Sequence, residues 1–401
     1  MAGKLGSRFW RFWAASALAN LGDGIRLAAF PLLAASLTDD PFAVAAVGAA
    51  AGLPWLVTGL VAGSLADRRG ARRLLVGADT VRIIVLLGLV GALLAGVATL
   101  PLVAVVAFAL GVAETVRDTA AQTVVPRLVP AALLERANGR LVAGEVAGNE
   151  FAGPLVGAAL FAAGVALPFA ANSGLLAIAV LLVLYLPASL LAGLPPAGGD
   201  QPIRDGVRAG LDWLARHRVL RGLLAATALV AVADAAWFAV FVLYTQVQLD
   251  AGAIGFGGYL AIGAGGGLAG ALIAARLIGE RRHRLVLLGS FAVTALVPAL
   301  LLAAPTGWAA VVVVTATSAG FGVLNVAAVS VRQRLTPQRL LGRVTAAWRT
   351  VLYGAAAAGG LAGGAVAAWQ GLQAPFVLSA GLGLAAVALW WLVTRRGLSL
   401  A

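Results

Sequence analysis

The sequence predicts an all-α polytopic membrane protein: twelve transmembrane helices in two pseudo-symmetric six-helix bundles. Three observations predict it. Hydrophobic residues make up 61% of the 401 positions and charged residues 11%, with a mean hydropathy of +0.97, a balance foreign to water-soluble globules. The apolar residues fall in runs long enough for about 30 Å of hydrocarbon. Arginines cluster in alternate polar breaks and are missing from the turns near 38–41, 98–101, 164–168, 246–253, 304–308 and 369–374. Because cationic loops stay cytoplasmic, both termini are expected on that side of the cell membrane.

The first span follows Lys4, Arg8 and Arg11 and runs from Phe12 to about Leu37, interrupted only by Asp23 and Arg26. A cleaved signal peptide has an apolar core of about 7–15 residues and would not continue past such a pair, so this segment reads as a retained helix. Asp39 and Asp40 mark an outer turn, and Pro41 opens the second span. Next comes Gly63-Ser-Leu-Ala-Asp67-Arg68-Arg69-Gly70-Ala-Arg72-Arg73, five arginines and aspartates packed between apolar walls and held by their charge on the cytoplasmic side. The third span covers about 74–98 and the fourth runs to about Val125. After the polar connection from Pro126 to Asn138 come the fifth span and, past Pro168, the sixth.

From Pro195 the composition changes to a proline- and glycine-rich linker. Ile203, Val207, Leu211 and Leu214 then recur at helical spacing among Arg204, Asp205, Arg208 and Asp212, which predicts an amphipathic helix on the inner leaflet. Six further spans follow at about 222–245, 254–278, 285–304, 308–330, 342–368 and 373–394. The domains are therefore 1–194, a linker over 195–221, and 222–401. The halves repeat: Ala17, Leu18, Asp23, Ala28, Phe30 and Leu32 match Ala228, Leu229, Asp234, Ala239, Phe241 and Leu243 at a shift of 211. Gly153 and Gly157 match Gly360 and Gly364 at a shift of 207. Such parallel repeats relate two bundles by an axis along the membrane normal.

The Gly-x-Leu-x-Asp-Arg-x-Gly-x-Arg-Arg run resembles the loop between helices 2 and 3 of the major facilitator superfamily of transporters. That resemblance implies the major facilitator fold, with Gly63, Asp67, Arg68, Gly70, Arg72 and Arg73 as a cytoplasmic gate whose Asp67 meets the start of the eleventh span near Gly342 and Arg343. The run Gly153-Pro154-Leu-Val-Gly157 resembles a helix 5 motif seen mainly in exporters of the superfamily. The chain as a whole is similar to the macrolide-efflux and enterobactin exporters.

Ionisable groups within spans are expensive and mark function or pairing. Asp23 and Arg26 share a face at i, i+3, and Glu114, Arg117 and Asp118 lie at i, i+3 and i+4. Glu145 and Glu150 punctuate the fifth span; Asp234 with Trp237, and Arg349 with Tyr353, are the polar stations of the second half. Each reads as a substrate or proton contact, or else as a pair holding a helix in register. Trp55, Trp237, Phe238 and Tyr244 are candidates for an aromatic cavity wall. Trp308, Trp369, Trp390 and Trp391 read as interface anchors, and His217 and His283 as solvated groups.

Together with these groups, the resemblance implies a proton-coupled exporter, an antiporter of a small amphipathic or lipophilic molecule working by alternating access as a monomer in the inner membrane, with protons and the bilayer as its other partners. Uptake of a small metabolite and a non-transporting sensor or scaffold are the alternatives. Nucleic-acid binding is set aside: the net charge of +13 is scattered over cytoplasmic clusters rather than gathered on one face with aromatics. With no cysteine, no lysine beyond Lys4 and no histidine within a span, neither an enzyme nor a metal or other cofactor is expected.

Overall fold

Backbone amides and carbonyls have no water to bond in hydrocarbon, so a spanning chain must pair them within each segment, and helices do this. The computed structural model describes residues 5–56, 70–130, 133–187, 212–278 and 283–395, and among them there is no strand. In chain order the helices are α1 (Ser7–Leu37), α2 (Pro41–Gly52), α3 (Ala71–Leu94) and α4 (Leu100–Gln122). Then come α5, built of Leu134–Glu145, a π segment Val146–Ala152 and Gly153–Ala163, and α6 (Leu167–Leu184). The second half holds α7 (Arg218–Val247), α8 (Ala253–Ile278), α9 (His283–Leu296), α10 (Gly307–Leu335), α11 (Gln338–Gln370) and α12 (Ala374–Thr394). Ten of these, α3 to α12, are long and apolar enough to cross a bilayer. Outside that set stand α1, which carries Asp23 and Arg26 at its centre, and the short α2, which leads into undescribed residues. Residues 63–69 of the glycine- and arginine-rich turn, and with them the contact predicted for Asp67, lie outside the described residues. So does most of the predicted linker helix, of which residues 212–216 are helical.

Two compact units form. One comprises Met1–Thr38, Ala50–Asp200 and Phe256–Gly258; the other Asp39–Ala49, Gln201–Gly255 and Tyr259–Ala401. In the first, α1 packs on α5 and α6, and α3 on α4 and α6. The second repeats that scheme six helices on: α7 packs on α11 and α12, and α9 on α10 and α12. The first unit's apolar core gathers Phe9, Phe12, Leu75, Val124 and Val183, and the second's gathers Leu223, Phe291, Val344, Trp348 and Trp390.

Close helix approach in lipid needs small residues. A Cβ on Gly24 would stand 2.5 Å from the Asn149 carbonyl oxygen, and Cβ atoms on Gly153 and Gly157 would overlap the backbone of Gly24 and Ile25, so α1 and α5 touch backbone to backbone. Pro154 has no N–H to give residue 150 and its ring crowds that carbonyl; the wide π turn just upstream accommodates both. In the second unit the glycines pressed on α7 are Gly359 and Gly363, against Val232 and Ala236. They precede the sequence-matched Gly360 and Gly364 by one residue. Gly70 caps α3 at φ 80, a conformation that suits glycine.

Two expectations for the aromatic residues change. Trp390 is fully buried in the second unit's core and its Nε1 donates to the Arg284 carbonyl at 3.3 Å, whereas Trp308, Trp369 and Trp391 are exposed as anchors should be. Successive helical residues point about 100° apart, so Trp390 and Trp391 cannot both face lipid. His283 is buried rather than solvated, and His217 accepts the Leu220 amide proton at the start of α7.

Replacing Gly153 with alanine forces α1 and α5 apart. The expected loss is about 1–3 kcal/mol of stability, read as a lower melting temperature in detergent. Gly91→Ala, where an added Cβ meets nothing within 4 Å, should leave the melting temperature unchanged.

Candidate functional site: a buried chain of alternating charges

Three helices of the first unit each bring an acid and an arginine three residues apart, hence on one face: Asp23 and Arg26 on α1, Asp79 and Arg82 on α3, Glu114 and Arg117 on α4. Asp118 follows directly on α4. The seven groups join into a line in which sign alternates at every step. Arg26 Nη2 donates to Glu114 Oε2 at 2.6 Å and to Asp23 Oδ1 at 3.1 Å. Arg82 donates to Asp23 on one side and, at 3.2 Å, to Asp79 on the other. Arg117 Nε lies 3.0 Å from Asp79 Oδ1, and its Nη1 reaches Asp118 at 3.4 Å.

The line begins and ends on α4. Its middle is dry: Arg82 is 0% exposed and Asp79 1%. Its ends are wetter, the Glu114 side chain 19% and the Asp118 side chain 33% exposed. Asp23 and Asp79 each sit between two guanidiniums, while Glu114 and Asp118 each meet one. Four carboxylates face three guanidiniums, so one negative charge is in excess when all are ionised. Asp118, with the longest contact and the greatest exposure, holds that excess least firmly.

Asp23, Arg26, Glu114, Arg117 and Asp118 are thus brought together as their spacing suggested. Asp79 and Arg82 were not among the sequence candidates, yet they are its most buried members; the signal was the Asp-x-x-Arg spacing they share with Asp23 and Arg26. Glu145 and Glu150 lie on an exposed face of α5 and Arg349 on an exposed face of α11, none of them in the line. Gly153, Pro154 and Gly157 are buried against α1. Among the gate residues within the described stretches, Arg72 donates to the Leu184 carbonyl at 2.7 Å, tying α3 to the end of α6, and Arg73 is exposed.

In the second unit Asp234 is half-buried on α7 and makes no ion pair with any described residue. Of the proposed cavity aromatics, Trp237 and Tyr244 are buried, and the Tyr244 hydroxyl donates to the Leu301 carbonyl at 2.9 Å. That long-range bond ties Tyr244 into the core, so of these three only Phe238, 41% exposed, presents a ring at the surface of the unit.

A family profile described as Major Facilitator Superfamily matches residues 12–360. Among solved structures, the nucleoside transporter NupG is similar at a TM-score of 0.78 and 14% identity, over 97% of this chain and 98% of that one. A bacterial homologue of the iron transporter ferroportin in its inward-facing state follows at 0.70 and 16%, over 98% and 99%. A bacterial homologue of the human lysosomal transporter Spinster, inward-facing and unoccupied, reaches 0.68 at 15% identity, over 98% of each chain. No curated protein sequence matches. At these identities the likeness is one of fold.

Removing Arg82 leaves Asp23 and Asp79 under-neutralised in the dry middle of the line. Arg82→Leu is expected to cost about 3–5 kcal/mol, measured as thermal unfolding of the purified protein. Arg82→Leu with Asp79→Leu removes a neutral pair and should recover part of that loss; a double variant less stable than the single one contradicts the pairing.

Proposed function

The chain belongs to the Major Facilitator Superfamily, and from that premise we propose that this integral membrane transporter exports a small amphipathic or lipophilic molecule in exchange for protons. It is not an enzyme. The observation that carries the reading is the odd number of groups in the charge line. A fully matched set of ions has no reason to take up a proton; four carboxylates sharing three guanidiniums do. Asp118 is the member we assign to that role, because it has one distant partner and a third of its side chain exposed. Glu114, Arg117, Asp23 and Arg82 supply the field it feels. Proton binding would lift the excess charge and so bias one of two states separated by a few kcal/mol.

Export rather than uptake is supported by the Gly153-Pro154-x-x-Gly157 run, whose sequence resembles the helix 5 motif of exporters and whose glycines let α1 and α5 meet closely. Glu145 and Glu150 support a wet face on the first unit, since exposed carboxylates in a span are tolerated beside water and not beside lipid. We place the protein in the cytoplasmic membrane with both termini inside, on the arginine pattern of its loops, and as a monomer because one chain suffices for alternating access. Uptake of a metabolite is the second reading, favoured by the similarity to a nucleoside transporter.

In everted vesicles acidified inside, the protein should accumulate Nile red or ethidium, and a protonophore should abolish that accumulation. Asp118→Asn should lower the gradient-driven component at least about tenfold while the melting temperature holds. Accumulation indifferent to the gradient removes proton coupling, and gradient-driven accumulation only in right-side-out vesicles reverses the direction.

A further inference from the structure

Asp23 and Asp234 are each the seventeenth residue of their helix, α1 and α7. The repeat therefore sets a carboxylate at the same register of its helix in both units, but the surroundings differ. Three residues on, α1 has Arg26, and α3 adds Arg82, so Asp23 is enclosed by cations. Three residues beyond Asp234 stands Trp237, whose neutral indole N–H is the polar group acting on the acid, and Asp234 makes no ion pair with any described residue. An indole donor is neutral, and a carboxylate halfway along a span with no cation beside it is costly unless something else supplies the positive charge.

The stripe of α7 that carries it is aromatic. Asp234, Trp237, Phe238 and Phe241 fall at i, i+3, i+4 and i+7, one stripe of α7. The Trp237 and Phe238 rings lie 5.7 Å apart, Phe238 and Phe241 are stacked at 6.4 Å and 17°, and Tyr259 closes on Phe241 at 5.9 Å. Phe238 carries this ring system to the surface of the unit. A single carboxylate beside aromatic faces suits a large cation of spread charge, drawn by the acid and by the ring quadrupoles. It offers too few oxygens for Mg²⁺ or Ca²⁺, and it repels anions.

We propose that Asp234, with Phe238 and its stacked neighbours, is the recognition site for organic cations. This rests on the exporter reading, since it names the chemical class of the cargo. In the second unit the cargo would then fill the place that arginines hold in the first.

The test uses the full-length protein in nanodiscs and two ions of equal shape, tetraphenylphosphonium and tetraphenylborate, with binding measured at equilibrium and no proton gradient. The cation should bind and the anion should not. Asp234→Asn should weaken cation binding at least about tenfold, Phe238→Ala about threefold or more, and Asp234→Glu should keep it near the parent value, all with unchanged melting temperatures. Equal binding of both ions, or an Asp234→Asn protein that binds the cation as the parent does, overturns the proposal. If gradient-driven export of Nile red persists while tetraphenylphosphonium fails to bind, the cation site alone falls. Binding that depends on Asp234 without any gradient-driven flux supports the site and counts against export.

Discussion

Arg82 holds the first unit's interior together. It is an arginine with no exposure, set between Asp23 and Asp79, and its cost in hydrocarbon is met only because both neighbours are acids and both have further arginines behind them. Desolvating any one of these ions alone would outweigh its pairwise attraction. A line of alternating sign answers this, because each interior ion has two counter-ions and each step is a charge-assisted hydrogen bond. Truncating the line anywhere in its middle exposes a buried charge, whereas its ends on α4 tolerate water.

The two units show what a shared architecture does and does not impose. Their helices pack by one scheme, and their central aspartates stand at one register, the seventeenth residue of α1 and of α7. Yet the line of charges has no counterpart among the described residues of α9 and α10, where Ser290, Val293 and their neighbours are uncharged in mid-span. The repeat conserves packing, which depends on size and spacing, and leaves chemistry free to diverge. One unit settles its internal charge within itself; the other leaves a carboxylate with no ion pair among the described residues.

Much of this was legible in the sequence because membrane spans are dictated by length and hydropathy, which are local. From α7 onward the spans fall within about five residues of their expected bounds, and the shift of 211 places Asp23 and Asp234 at one register. What escaped was what depends on partners far along the chain. Asp79 and Arg82 lie six and nine residues past Arg73, inside the third expected span, and their spacing alone does not say what they meet. Only folding shows that they close the gap between α1 and α4. Tyr244 looked available for a cavity until the Leu301 carbonyl, 57 positions away, is seen to take its hydroxyl. Trp390 was legible in principle, since helix geometry forbids adjacent tryptophans from sharing a face. The glycine offset of one residue in α11 reflects the loose tolerance of a glycine-rich stretch, where Gly359, Gly360, Gly363 and Gly364 all offer a small face.

The charge line also has a mechanical side. Leaving α4 at Glu114, crossing α1 and α3, and returning to α4 one turn later at Asp118, it laces three helices with directional bonds that a slide or twist of any one would have to break together. Those helices are thereby stiffened against one another, so the first unit is suited to travel whole. The second unit's described interior is mainly apolar and aromatic, and its directional ties between helices are single hydrogen bonds such as Tyr244 to the Leu301 carbonyl and Ser379 to the Ala295 carbonyl. The working stroke of this protein should therefore be uneven, a rigid half and a pliant one.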